Sequence, residues 1–436
     1  MTDLTHRRIL RIAVPVVLSN ATVPILGAVD TGVVGQMGEA APIAAVGAGA
    51  IVLTSVYWIF GFLRMGTTGL VAQALGAGDD REVVALLSRA LLIAGAAGAV
   101  LIAAQAGIFA LAFAVAPVTD EVQGLARGYM AIRIWSAPAA IALYGLTGWL
   151  IAQERTGAVL AVQVGMNGAN ILLDLWFVLG LGWGVPGVAI ATLLAEWSGL
   201  ALALWFCRAA FAGGAWRDRA AVFDGARLRR MLTVNGDILI RTLLLQATFT
   251  SFLLMGGRFG TVALAANQVL LQFLYVTAHA LDGFAFAVEA LVGRSFGAGA
   301  RARLRRAVVM CAGWGLGTVV VLAVLFALAG PAVIDLMATA EDVRAAARAF
   351  LPWMVAAPLI GVAAWMLDGV FIGATRTRDM RNMMAVSFAA YLLALAALVP
   401  LFGNHGLWAA LMVSFAVRGA TLGSRYPALE RAALGA

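Results

Sequence analysis

The chain has no lysine: all 30 of its basic residues are arginine, set against 22 Asp and Glu in 436 residues, for a formal net charge of +8. Without lysine no Gly-x-x-x-x-Gly-Lys-Ser/Thr phosphate loop can exist, which excludes nucleotide-driven pumping through that motif. Cysteine is nearly missing as well. Cys207 and Cys311 stand in apolar surroundings and make neither a disulfide framework nor a metal pattern. Three histidines, His6, His279 and His405, have no ligand spacing among them. No cofactor or metal site is therefore expected, and a polytopic membrane enzyme would lack its metal or nucleophile constellation. Charge itself is scarce, at 12% of residues against 63% hydrophobic, where a soluble domain carries about 25%. A chain this apolar cannot clothe itself for water, but its surface suits a bilayer. The arginines lie between apolar runs, which fits topology signals and anionic lipid better than nucleic acid, so no nucleic-acid partner is expected.

What the sequence does hold is long apolar runs. Twelve stretches reach the length needed to cross the hydrocarbon core, near 9–34, 45–74, 86–114, 125–152, 158–180, 187–207, 231–256, 262–292, 306–330, 345–373, 382–402 and 405–425. The expected fold class is an all-α polytopic membrane protein. Residues 1–207 form an N-terminal lobe of six helices, 208–230 a charged cytoplasmic connection, and 231–436 a second six-helix lobe. The first apolar run is too long for a signal-peptide core and is read as the first span. Alternate connections carry the arginines: Arg7 and Arg8, Arg81, Arg155, the 208–230 cluster, Arg294 to Arg306, and Arg376 to Arg381. The intervening ones are nearly bare, with Arg344 the main exception. By the positive-inside rule both termini face the cytoplasm.

The halves resemble one another. Arg8-Ile9-Leu10 recurs as Arg230-Met231-Leu232, Gly35-Gln36-Met37-Gly38 as Gly257-Arg258-Phe259-Gly260, Gly76-Ala77-Gly78 as Gly297-Ala298-Gly299, and Pro138 as Pro358, always 220–222 residues on. Two sets of six spans inserted in the same direction are a transporter architecture, with the substrate path between the lobes.

Ionisable residues at membrane depth are costly and mark candidate sites. Asp30 on span 1, Asn170 and Asp174 one helical turn apart on span 5, and Thr192 on span 6 share one depth in the outer half of the first lobe. A carboxyl group taken out of water beside a second one holds a proton more readily than one in solution, so this group can serve as a proton or cation site; structural hydrogen bonding is the alternative. The second lobe places Asp237 and Arg241, Asp282 and Glu289, and Asp368 and Arg376 toward the inner side. Mixed signs there point to an ion-pair network, either a cytoplasmic gate or lobe packing. Arg64, Arg133 and Glu196 also lie at membrane depth and need partners that spacing does not identify. Trp135, Trp149, Trp176, Trp183 and Trp197 either line a cavity or pack against lipid.

Several stretches resemble the multidrug and toxic compound extrusion (MATE) family, in particular its DinF-like branch. They are Pro24-Ile25-Leu26-Gly27-Ala28-Val29-Asp30-Thr31, Phe62-Leu63-Arg64-Met65-Gly66-Thr67-Thr68-Gly69-Leu70, Asp237-Ile238-Leu239-Ile240-Arg241, Ala280-Leu281-Asp282-Gly283-Phe284-Ala285, and Asp368-Gly369-Val370-Phe371-Ile372-Gly373-Ala374-Thr375-Arg376. The resemblance covers essentially the whole chain. It implies a V-shaped pair of six-helix lobes and export of small organic, cationic or amphiphilic compounds in exchange for H+, with Na+ the less favoured coupling ion. It implies a cation-binding Asp on helix 1, matched by Asp30, an Asn and Asp on helix 5, matched by Asn170 and Asp174, and a hydroxyl on helix 6, matched by Thr192. The expected setting is a bacterial inner membrane and the expected state a monomer. A lipid-linked precursor flippase of related architecture is the competing transport reading, but it would favour a strongly cationic central cleft, and few arginines lie at membrane depth.

Overall fold

The computed structural model describes residues 4–36, 39–115 and 118–433. Met37 and Gly38 of one repeated motif, and the side chains of Ile25, Ala28 and Thr31 in the first family-like stretch, lie outside the described residues. Among those described there is helix but no strand. In hydrocarbon no water can satisfy a peptide group, and a helix satisfies nearly all of its own. In order the helices are α1 (His6–Gly35), α2 (Ala40–Trp58), α3 (Phe62–Ala77), α4 (Asp80–Ala103), α5 (Gln105–Val115), α6 (Asp120–Arg133), α7 (Ala137–Ala152), α8 (Thr156–Asp174), α9 (Gly184–Phe206), α10 (Arg219–Val222), α11 (Gly225–Gly256), α12 (Thr261–Gly297), α13 (Arg301–Met337), α14 (Glu341–Gly373) and α15 (Thr377–Ala432).

Among the described residues ten helices are long and apolar enough to cross a membrane, some built from two segments, as α2 with α3 and α6 with α7. With the 30-residue α1 and the two arms of α15, which bends at Gly403 where φ is +54°, they account for the twelve expected crossings. The third expected span departs from a single rod: it breaks at Ala104 into α4 and α5.

The described residues fall into two compact units. One comprises Met1–Val17, Ala72–Gly78 and Arg229–Ala436; the other Leu18–Val71 and Asp79–Leu228. The start of α1 and the end of α3 thus group with the second half of the chain, and the connection up to Leu228 groups with the first. In the unit containing Leu18–Val71, Leu53, Tyr57, Tyr129, Met130 and Ile134 form a buried core. In the other, Phe252, Leu270, Phe273, Tyr391, Trp408 and Phe415 do so.

The internal repeat is written into the backbone. Six of the eight described residues with positive φ pair at one constant spacing, Gly78 with Gly299, Glu154 with Thr375 and Gly182 with Gly403; Gly184 and Gly260 stand outside the pattern. The turns after α7 and α14 also share their bonding: Arg155 N–H donates to Leu150 O at 2.9 Å, and Arg376 N–H to Phe371 O at 3.0 Å. The ends of α3 and α12 cross at glycines. A Cβ on Gly76 would collide with the carbonyl of Arg294, and one on Gly297 with the carbonyl of Gln73, a reciprocal contact between equivalent positions.

The connection after α9 is an ordered structure, packed on α4. Asp218 caps α10 by accepting from Ala221 N–H at 3.2 Å and pairs with Arg81. Arg89 on α4 is 1% exposed and pins the other end: Nε donates to Val222 O at 2.8 Å and Nη2 to Ala221 O at 2.5 Å, while Nη1 pairs with Glu82 at 2.7 Å. Ser88 Oγ donates to Trp216 O at 3.3 Å, and Asp224 accepts from Arg227 N–H at 2.9 Å.

Two predictions follow from this packing. Gly297→Val should lower the thermal midpoint by an overpacking cost of about 1–3 kcal/mol or more, since backbone and not a flexible side chain stands in the way; thermal unfolding in detergent measures it. The connection should also respond to acid. Backbone N–H donation from Ala221 and Arg227 holds Asp218 and Asp224, respectively, below the ordinary value of 3.8. A depressed carboxyl stabilises the fold above that value and loses its contribution as pH falls through the depressed one. Limited proteolysis by an acid-active protease should therefore find the connection protected down to about pH 4 and opened below it.

Candidate functional site

Three helices build a polar site in the unit containing Leu18–Val71. α8 brings in Asn170 and Asp174 on one face, 1% and 0% exposed. Asp174 is the last residue before the helix widens into a π turn, Leu175–Gly180, a distortion common at functional positions. α9 brings in Thr192, and α1 brings in the half-buried Asp30. Asn170 Nδ2 donates to Thr192 Oγ1 at 3.2 Å, and Thr192 Oγ1 donates to Val188 O at 3.0 Å. The Asp30 and Asp174 carboxyls are close enough to act on each other's charge, and both feel the guanidinium of Arg133. One turn before Asn170, Asn167 Nδ2 donates to Thr22 Oγ1 of α1 at 2.8 Å.

The hydrogen-bond account of this site does not close. Both carboxylate oxygens of Asp174, Oδ1 of Asp30 and the amide oxygen of Asn170 are buried without a partner among the described residues. A buried acceptor left unmatched costs roughly 1–3 kcal/mol, and more when charged. Four acceptor oxygens so placed suit a proton or a small cation.

Arg133 and Glu196, which the sequence placed at membrane depth without partners, pair with each other: Arg133 Nη2 reaches Glu196 Oε1 at 2.8 Å. Arg133 Nη1 donates to Tyr129 Oη at 3.1 Å, and its backbone carbonyl accepts from Tyr57 Oη at 3.0 Å and Ser136 Oγ at 2.7 Å. Tyr129 and Tyr57 were not anticipated; a tyrosine in an apolar run carries no sign of where its hydroxyl points. Trp149 packs in the interior at 3% exposure and donates to Val83 O at 3.0 Å, while Trp135, Trp176, Trp183 and Trp197 are exposed.

The second polar group lies in the other unit. Asp237 and Arg241, neighbours on α11, turn to different partners. Asp237 accepts from Arg381 Nη1 at 2.7 Å and from Thr377 Oγ1 at 3.1 Å. Arg241 pairs with Asp368, whose Oδ2 also lies 3.6 Å from Arg418 Nη2. Arg241, Asp368 and Arg418 are all buried, at 6%, 6% and 3% exposure. Asp282 is half-buried and Glu289 buried on α12, the helix that packs along α14. Arg376, expected in this network, makes no side-chain hydrogen bond or ion pair among the described residues and instead stands before the first residue of α15. Arg381 and Arg418 supply the cations. Arg381 had been counted only as a loop charge, and Arg418 was visible as a lone arginine inside the last span.

The repeat relates the two units but not their chemistry. At the spacing that pairs Glu154 with Thr375, Asp30 corresponds to Ser251 and Asn170 to Tyr391, and Ser251 Oγ donates to Tyr391 Oη at 3.3 Å. Neutral hydroxyls thus stand at the places of Asp30 and Asn170, and Leu395 at that of Asp174.

Helices repeated in two sets, with a buried acidic group in one, define a polytopic membrane protein of transporter architecture. A family model described as MatE matches residues 15–176 and 238–398, and the chain belongs to that family, whose members are multidrug and toxic-compound efflux transporters of small organic molecules. DNA damage-inducible protein F of Escherichia coli (strain K12) is 39% identical over 413 residues, spanning 94% of this chain and 90% of that protein. A probable multidrug resistance protein NorM of Pseudomonas aeruginosa is 30% identical over 433 residues, spanning 92% and 85%. The crystal structure of the Vibrio cholerae MATE transporter VcmN in its bent form shares the fold at a TM-score of 0.87 and 20% identity, covering 98% of this chain and 97% of that one.

The triad around Asp368 gives an ordered prediction. Asp368→Leu leaves two buried guanidiniums facing each other and should cost about 3–5 kcal/mol, whereas Arg241→Met leaves the single pair with Arg418 and should cost much less. Thermal unfolding of the two variants side by side measures the difference.

Proposed function

We propose that the chain is a secondary antiporter that exports organic cations or amphiphiles in exchange for protons, by alternating access of its two lobes. The observation that supports this most is the buried Asp174 beside the half-buried Asp30: both carboxylate oxygens of Asp174 and Oδ1 of Asp30 have no hydrogen-bond partner among the described residues. A protein interior holds such groups only if something else completes them during the working cycle. We take the proton as the coupling ion because a proton needs only one carboxyl oxygen, whereas Na+ needs several ligands at once; the charge of Arg133 opposes either cation and does not choose between them. In this reading Asp30, Asp174, Asn170 and Thr192 form the coupling site. Protonation from outside disfavours the substrate-loaded outward state, so proton entry and substrate release exclude one another. The network of Asp237, Arg241, Asp368, Arg381 and Arg418 is structural or gating, with Asp282 and Glu289 on α12 and Arg376 at the start of α15. The arginine bias of alternate connections supports a plasma-membrane protein with both termini cytoplasmic.

The test is proton-driven efflux of a fluorescent cation from proteoliposomes, with pH and Na+ gradients imposed separately. Wild-type protein should respond to the pH gradient. Asp30→Asn, inserted and folded normally, should lose at least tenfold in rate under that gradient. Unchanged proton-driven efflux by Asp30→Asn rejects the coupling assignment, and drive by Na+ alone rejects the choice of ion.

A further inference from the structure

The ordered connection makes a second built site, on the face where it packs against α4. A groove of about 550 Å³ runs between them. Its apolar side is formed by Leu91 and Leu92 of α4 with Phe211, Val222 and Phe223 of the connection, and Arg217 and Arg219 stand on its lining. Leu92 and Phe223 are 52% and 62% exposed, far more than core residues.

The groove is polarised along α4. The Asp218–Arg81 pair ties the connection to the first turn of α4, and Arg217 and Arg219 flank Asp218 in sequence. Leu92 lies 12 residues beyond Asp80, about 18 Å further along the helix. One end is therefore cationic and at the charged start of the span, and the other is apolar and at hydrocarbon depth.

Its two arginines differ from those around them. Arg81, Arg89 and Arg227 are each neutralised by an acid. Arg217 and Arg219 are exposed and have no acidic partner among the described residues, and the Arg217 guanidinium lies 4.3 Å over the ring of Trp216. An organic cation would meet two like charges here. A free anion would leave the apolar floor uncovered.

We propose that this groove binds one anionic phospholipid, with its phosphate between Arg217 and Arg219 and an acyl chain along Leu91, Leu92 and Phe223. The bound lipid completes the contact between the connection and α4.

Native mass spectrometry of the full-length protein tests this, with phosphatidylglycerol or phosphatidylcholine of identical chains added to the micelle. The wild type should retain one phosphatidylglycerol about 30-fold more tightly than phosphatidylcholine, roughly fivefold for each arginine near an anionic headgroup and multiplicative for two. Arg217→Gln with Arg219→Gln should abolish the preference, each single variant should lower it by about fivefold, and Arg258→Gln, outside the groove, should keep it. Leu92→Asn should weaken retention of both lipids, and inorganic phosphate should not displace either. All four arginine variants change exposed side chains, and an unaltered thermal midpoint confirms that each is folded. Equal retention of the two lipids by the wild type, or an undiminished preference in the double variant, overturns the proposal. Displacement by inorganic phosphate together with an indifferent Leu92→Asn also overturns it, in favour of a free-anion site.

Discussion

Withdrawal from water governs every polar choice in this protein. A charge inside the helix bundle must find its partner within the protein, because solvent cannot supply one. The structure meets that demand with buried arginines, some holding several groups and some sharing one acid. Arg89 holds Glu82 and two carbonyls of the connection, and Arg133 holds Glu196 and Tyr129. Arg241 and Arg418 share Asp368. Against that background the four unmatched oxygens of Asp30, Asn170 and Asp174 stand out because they gather at one site; unmatched buried atoms also occur elsewhere, as on Asn235.

The parts legible in the sequence are those that depend on one helix at a time. Span lengths follow from apolar runs, and the i, i+4 spacing of Asn170 and Asp174 puts both on one face in the structure as well. The repeat was visible in scattered glycines, and the left-handed pairs Gly78 and Gly299 or Gly182 and Gly403 explain why: a turn needing positive φ keeps its glycine when side chains around it drift. Cross-helix pairing was not legible, since it depends on how each helix is rotated about its axis. Arg133 with Glu196, Arg381 with Asp237 and Arg418 with Asp368 are separated by 50 or more residues in the chain and share no local pattern. The order in the 208–224 connection was hidden for a related reason. A cluster of arginines and aspartates suggests a solvated loop until Arg89, on another helix, is known to hold its carbonyls.

The repeat also shows what a duplicated scaffold permits. Equivalent backbone turns are kept in both halves, while Asp30 and Asn170 of one correspond to Ser251 and Tyr391 of the other, and Asp174 to Leu395. The second half places its charges elsewhere, and there Asp237 and Asp368 each meet at least one arginine. The shared turns set the architecture, and the polar substitutions between turns give the two halves different chemistry.

Because every basic side chain apart from the three histidines is a guanidinium, the positive charges of the interior are permanent. Arg89, Arg133, Arg241 and Arg418 form a fixed electrostatic frame that no physiological pH can erase. An amine in any of those places could shed its proton when desolvated and so blur the difference between loaded and empty states. Here that escape is closed, and under the proposed proton coupling a change of state would have to be carried by carboxyl groups.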